Sequence, residues 1–216
     1  MKIIEPSFEF ITPMSMIPGK VIMKRLEKIG RVCYKSEDKI TDDSYEKFLR
    51  GIIKRGHESV LEHCSITVKF VCDRGVTHEI VRHRIGAYSQ ESTRYCNYLG
   101  DKFGMSITVI KPLFWDEESY SYKAWYDACQ FAEDAYFELL RSGASPQEAR
   151  SVLPNSLKTE IVVTYNIREW RHFFKLRCSK AAHPQMREVA IMALKEFYKY
   201  MPTLFEDIYT EIMKDE

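Results

Sequence analysis

The chain has no CxxC cysteine pair, no HExxH, no GxGxxG after a strand and no GxxxxGK[ST] loop. The missing cysteine and histidine spacings offer no metal site, and the missing glycine loops give no support for a Rossmann or P-loop phosphate cradle. Six cysteines lie scattered at 33, 64, 72, 96, 129 and 178, a pattern of buried or free thiols in a reducing compartment, not of a disulfide framework. An excess of one charge is also missing. With 32 basic and 31 acidic side chains the formal net charge is +1, so any anion site must be local. No segment approaches the roughly 20 consecutive apolar residues of a membrane span. The opening MKIIEPSFEFITP carries Glu5 and Glu9 where a secretory signal has an unbroken apolar run. The expectation is a cytoplasmic protein with no nucleic-acid and no membrane partner.

What is present is an ordinary globular composition, 45% hydrophobic and 29% charged over 216 residues, read as one domain spanning 1–216. Apolar spacing predicts helices over 19–29 and 43–55, the second stopped by Gly56. SITVKFVCD alternates as a strand does, and Asp73 can cap a helix that buries Val76, Ile80 and Val81. MSITVIK (105–111) reads as a second strand. The longest helix is expected over 117–142, with Gly143 as its C-cap, and SPQE (145–148) is a capping box with proline at the first helical position. KTEIVVTYN reads as another strand, Asn166 as the cap of a helix over 167–177, and Pro184 and Pro202 as the bounds of the next helix. A helical turn or two follows. Helices outnumber strands, which predicts an α/β (α+β) fold with helices around a modest mixed or antiparallel sheet.

Three polar constellations stand out. RHRIGAYSQESTRY (82–95) gathers arginines, hydroxyls and tyrosines around a single acid, Glu91. A helix continued through residue 84 would point Arg82 and Arg84 about 200° apart, whereas an extended chain would project both to one side with His83 opposite. Gly86 offers a place for that change. Guanidinium forks together with serine and threonine hydroxyls match a phosphate. The second constellation, GHESVLEH (56–63), places His57 and His63 near acids without metal-ligand spacing. The third joins ARSVLP (149–154) to NIREWRHFFKLRC (166–178), where Arg168 and His172 share a helix face. Trp170, Phe173, Phe174 and Leu176 would hold the other side in the core, and Cys178 reads as a buried or incidental thiol.

Together these blocks resemble the flavin-dependent thymidylate synthases: RHRIGAYSQES fits their arginine-histidine-arginine, seven-residue, serine signature, with GHESVLEH upstream and ARSVLP…TYNIREWRHFFKLRC downstream. The resemblance spans roughly residues 50 to 190. It implies a fold specific to this family, a homotetramer with active sites where subunits meet, and reductive methylation of dUMP to dTMP. In such enzymes 5,10-methylenetetrahydrofolate gives the one-carbon unit, NADPH-reduced FAD gives the hydride, and no cysteine acts as nucleophile. By the same resemblance dUMP would contact Glu79, Arg82, Gln90, Glu91, Ser92, Thr93, Arg94, Arg150 and Arg177. The flavin would contact His57, Ser59, Arg82, His83, Arg84, Gln90, Asn166, Arg168 and His172. Arg177 would be catalytic, bonding the uracil ring and favouring loss of its N3 proton. Ala87 stands where many members carry serine, and Glu79 where glutamine is common.

A different reading is a nucleic-acid-binding module that uses the arginines with Tyr88, Tyr95 and Tyr98, though the balanced charge opposes it. A third is a flavin oxidoreductase without the folate step.

Overall fold

The computed structural model describes residues 1–100 and 103–214. Strands β1 (Lys2–Ile4) and β2 (Ser7–Phe10) open the chain, followed by helices α1 (Gly19–Tyr34) and α2 (Ser44–Lys54). Then come β3 (Ser65–Asp73), α3 (Arg74–Ile80), β4 (Ala87–Gln90) and β5 (Thr108–Ile110). The long α4 (Tyr120–Arg141) and short α5 (Pro146–Ala149) lead to β6 (Lys158–Asn166), α6 (Ile167–Arg177), α7 (Pro184–Tyr200) and α8 (Pro202–Met213). β1 and β5 form a parallel pair, and a four-stranded sheet runs in the order β2-β3-β6-β4. The α/β class with a modest sheet holds.

The expected boundaries hold where local chemistry sets them. Asp73 accepts from Val76 N at 2.7 Å, and Asn166 accepts from Glu169 N at 2.8 Å, so both caps form. Gly56 and Gly143 take φ of +70° and +99°, as helix-stopping glycines do. The Ser145–Glu148 capping box forms as well. Three differences are tertiary. The strand expected over 105–111 shrinks to Thr108–Ile110, and the last helix extends through Met213. Val81 and Leu176, expected in the core, are exposed, because each lies at a helix end beyond its packed face.

The residues cluster into two compact units. One comprises Met1–Ser7, Phe70–Arg82 and Ser89–Ile161, with Ile107, Val109, Cys129, Tyr136 and Leu157 in its core. Burial there pushes the Cys129 thiol up to about 11. The other comprises Phe8–Lys69, His83–Tyr88 and Val162–Glu216. In it α1 packs on α2, α2 on α8, and α6 on both α7 and α8. Its interior is aromatic: Phe197 lies 4.9 Å from Trp170, 5.1 Å from Phe174 and 5.3 Å from Phe205, centroid to centroid.

A buried cation ties α6 to α8 inside this second unit. Arg171, 1% exposed, donates to both carboxylate oxygens of Asp207 at 2.8 and 2.7 Å and to the Leu204 carbonyl. Its Nε also faces Glu58 at 3.5 Å. Burial pushes the Asp207 carboxyl up, but the Arg171 fork and charge outweigh it and hold the group below the usual carboxylate range. Asp207→Ala is expected to cost about 2–3 kcal/mol near neutral pH, below the value for a fully buried pair because the aspartate is half in solvent. A depressed carboxyl stabilises the fold above its unfolded value of about 3.9 and loses that effect as pH falls through the folded value. Urea titrations should therefore show the gap between wild type and variant closing below pH 4.

Candidate functional site

The stretch 82–95 leaves the helix at once. Helix α3 ends at Ile80, Arg82 sits in the following turn, and strand pairing resumes at Ala87. The helix does not continue through residue 84, and burial alternates along the stretch: Arg82 and Arg84 are exposed, while His83 between them is 4% exposed. Gly86 is required for a different reason than expected. Its φ is not positive, but a Cβ there would lie 2.3 Å from Tyr165 Cε1 and 3.1 Å from the Thr164 carbonyl. The glycine lets the backbone lie against the Tyr165 ring.

Around His83 the second unit builds a hydrogen-bonded assembly. His83 Nδ1 lies 2.8 Å from Glu169 Oε1, and Arg177 Nε donates to His83 Nε2 at 3.1 Å. Tyr88 donates its hydroxyl to the His83 carbonyl, so the 2.8 Å contact between the tyrosine hydroxyls has Tyr165 as donor. Burial lowers the His83 pKa; the bond to Glu169 works against this and the Arg177 charge with it, so the imidazole is neutral at neutral pH. Burial raises both tyrosines, which remain protonated donors.

Beside this assembly lies a cleft of about 450 Å³. Asn166, Arg168 and His172 line it, together with Lys175, Glu58 and Ile85. Arg168 is held by Glu62 at 2.6 Å and Glu58 at 3.9 Å, and the Asn166 side-chain oxygen is spent on the α6 cap. His57 and Ser59 are exposed at the start of the 3-10 turn Glu58–His63, with His57 Nδ1 2.8 Å from the Tyr34 hydroxyl. Arginine, lysine, histidine and amide donors beside Ile85, 68% exposed, suit an anionic cofactor with a flat ring. The same donor set disfavours a metal ion. The ligand atoms of His83, Glu169 and His172 come within 4.8 Å of one another, yet Arg168, Arg171 and Lys175 line that cleft and Arg177 bonds His83. His83 and Glu169 are committed to each other and to Arg177, and His172 meets His83 edge to face, ring against ring, so the three do not form a ligand set.

The first unit gathers the other predicted residues. Ser92 opens a helical turn: its Oγ accepts from Arg94 N at 3.3 Å, and its carbonyl accepts from Cys96 N at 2.9 Å. Arg94 and Arg150 are exposed and Thr93 is buried, with Arg150 reaching Thr93 Oγ1 at 3.4 Å and Arg94 reaching Gln147 at 3.5 Å. Gln90 Nε2 donates to Thr77 Oγ1 at 3.0 Å and Thr159 Oγ1 at 3.3 Å, which directs its amide oxygen away from both hydroxyls. Glu79 is half-buried in the last turn of α3, and its carbonyl accepts from Arg82 N. Glu91 stands apart. Its carboxylate is committed to Lys158 at 2.9 Å and to the Tyr98 hydroxyl at 3.0 Å, so it braces the turn.

Sequence reasoning missed Glu169. Its place three residues after the Asn166 cap marks it as a first-turn acid favoured by the helix dipole, which hides its bond to His83. A signal was available, since an acid that far toward the buried side of α6 needs a partner.

Residues 22–203 match the sequence model of the family described as "Thymidylate synthase complementing protein". The flavin-dependent thymidylate synthase of Geobacter sulfurreducens is 37% identical over 185 residues, covering 82% of this chain and 78% of that one. The enzyme of the same name from Pyrococcus furiosus is 37% identical over 171 residues, covering 79% and 69%. In fold, the chain resembles a UMP/dUMP methylase from Streptomyces cacaoi solved with 5-bromo-dUMP, with a TM-score of 0.77, 23% identity and coverage of 98% and 97%. With matches of this extent, the chain belongs to the flavin-dependent thymidylate synthase family.

Proposed function

We propose that this enzyme methylates dUMP to dTMP, with 5,10-methylenetetrahydrofolate as carbon donor, FAD as cofactor and NADPH as reductant. Family membership supports the reaction class. The observation that carries the substrate is the turn at Ser92–Arg94, where Arg94 and Arg150 are exposed and Arg150 reaches Thr93. Two guanidinium forks and a serine hydroxyl offer the donors that a nucleotide phosphate takes, and Gln90 with its Thr77-directed amide is suited to a sugar or base. Glu79 and Arg82 complete this reading, while Glu91 acts indirectly by bracing the turn through Lys158.

Bound FAD supplies hydride chemistry that no side chain can perform. Arg84, Arg168, His172 and Asn166 would hold it, with His57, Ser59 and Arg82 nearby, and Glu62 pre-orients the Arg168 guanidinium. Arg177 has the electrostatic part. A permanent cation beside the uracil ring stabilises the anion left when N3 loses its proton, without itself taking the proton. No thiol is needed on this reading, and Cys178, the residue that follows α6, is fully buried. A cytoplasmic homotetramer acting as one catalytic domain per chain belongs to the same proposal.

The test is release of tritium from [5-³H]dUMP by purified enzyme given FAD, NADPH and methylenetetrahydrofolate. Label release matched by dTMP formation is the expected result. NADPH oxidation without label release would leave only a flavin oxidoreductase and overturn the proposal.

A further inference from the structure

Both ring nitrogens of the buried His83 are occupied, Nδ1 by Glu169 at 2.8 Å and Nε2 by Arg177 Nε at 3.1 Å. Arginine Nε carries one hydrogen and cannot accept, so His83 Nε2 must be the acceptor. A neutral imidazole that accepts at Nε2 carries its proton on Nδ1, and that proton meets the Glu169 carboxylate. We propose that Glu169 is a positioning residue, holding His83 in the Nδ1–H tautomer so that Nε2 fixes the orientation of the Arg177 guanidinium. This rests on the reading of Arg177 as the group that faces the uracil ring.

The rest of the surroundings hold the ring but do not choose its tautomer. Phe173, His172 and Tyr165 pack around it at centroid distances of 5.0, 5.5 and 6.0 Å, and Tyr88 anchors its carbonyl. Among the described residues the acceptor bonded to Nδ1 is Glu169. Without it the proton can move to Nε2, and two N–H groups then face each other where one bond stood. Interposing an imidazole also has an electrostatic consequence. As a neutral acceptor it orients Arg177 without taking up its charge.

The arrangement predicts a pH signature. The titratable and charged groups facing His83 are Glu169, His172 and Arg177 from α6, Tyr165 from β6 and Tyr88 from β4. Acid that protonates His83 places a hydrogen on Nε2 and breaks its bond to Arg177. Turnover should therefore fall on the acid side, below the ordinary histidine range. Glu169 favours the imidazolium, so removing its charge moves that limb to still lower pH.

The experiment compares tritium release by flavin-loaded wild type, Glu169→Ala, Glu169→Gln and Arg177→Ala across pH. Glu169→Ala is expected to lose about tenfold or more in kcat, as when a catalytic imidazole takes the wrong tautomer. Glu169→Gln keeps an acceptor for Nδ1–H, so it should recover part of that loss while its acid limb shifts to lower pH. A merely structural glutamate would leave the limb in place. A disabled Arg177→Ala beside a Glu169→Ala enzyme within twofold of wild type overturns the proposal alone. So does an unshifted limb in Glu169→Gln, which remains decisive if the alanine variant folds poorly. Near-normal turnover of Arg177→Ala overturns the reading of Arg177 and the proposal with it.

Discussion

Replacing Arg177 by alanine is expected to lower dTMP formation about a hundredfold or more while the protein still binds flavin. The size follows from the role: removing one preorganised charge or donor from a developing anion costs about 10²–10³ in kcat. Arg177 is the last residue of α6, half-buried, and its Nε is held by His83. Arg177→Lys separates charge from orientation. Lysine keeps the cation but has no Nε–H to meet His83 Nε2 and no planar fork, so it should remain closer to alanine than to arginine. The measurements are tritium release from [5-³H]dUMP and the visible absorbance of bound flavin. An alanine variant that retains its yellow colour and turns over within tenfold of wild type would remove Arg177 from the chemistry.

Much of the fold was legible because its signals are local. The Asp73 and Asn166 caps, the Ser145 capping box and the glycines at 56 and 143 each depend on a few consecutive residues, and each formed as read. The alternations of SITVKFVCD and KTEIVVTYN became β3 and β6 for the same reason. Strands β1, β2 and β4 went unread because three or four residues carry too little periodicity, and their pairing is decided by distant partners.

The site divides along the same line. Arg168 and His172 were placed together by helical spacing alone, and they do line one cleft. The resemblance could name His83 but could not show that it is buried with both nitrogens bonded, because those bonds join residues 86 and 94 positions apart. Glu91 reads from sequence as the lone acid among cations. Its commitment to Lys158, 67 positions away, becomes visible only once the chain folds back along β6. Long-range polar pairs leave no periodic trace, so they account for most of what sequence could not supply.

Trp170→Ala is expected to have the largest effect on stability, about 3–5 kcal/mol, out of a total that for domains of this kind is about 5–15 kcal/mol. Trp170 is fully buried, and its ring centroid lies 4.7 Å from Tyr165, 4.9 Å from Phe197 and 5.4 Å from Phe173. Its Nε1 donates to the Ile66 carbonyl at 3.0 Å, which ties α6 to β3. Alanine leaves a void that several aromatic rings cannot close together, and it also strands that carbonyl. Trp170→Phe keeps most of the ring volume and loses the N–H, so it should cost less, about 1–3 kcal/mol. Denaturant midpoints in urea would rank the two, with alanine well below phenylalanine. Equal midpoints would mean that the hydrogen bond, not the packing, dominates. The consequence reaches the chemistry, because Arg168, Glu169, His172 and Arg177 all ride on this helix and Trp170 sets its seat. Flavin should dissociate from the alanine variant at denaturant concentrations that leave wild type loaded, since a cleft built on α6 cannot be firmer than the packing beneath it.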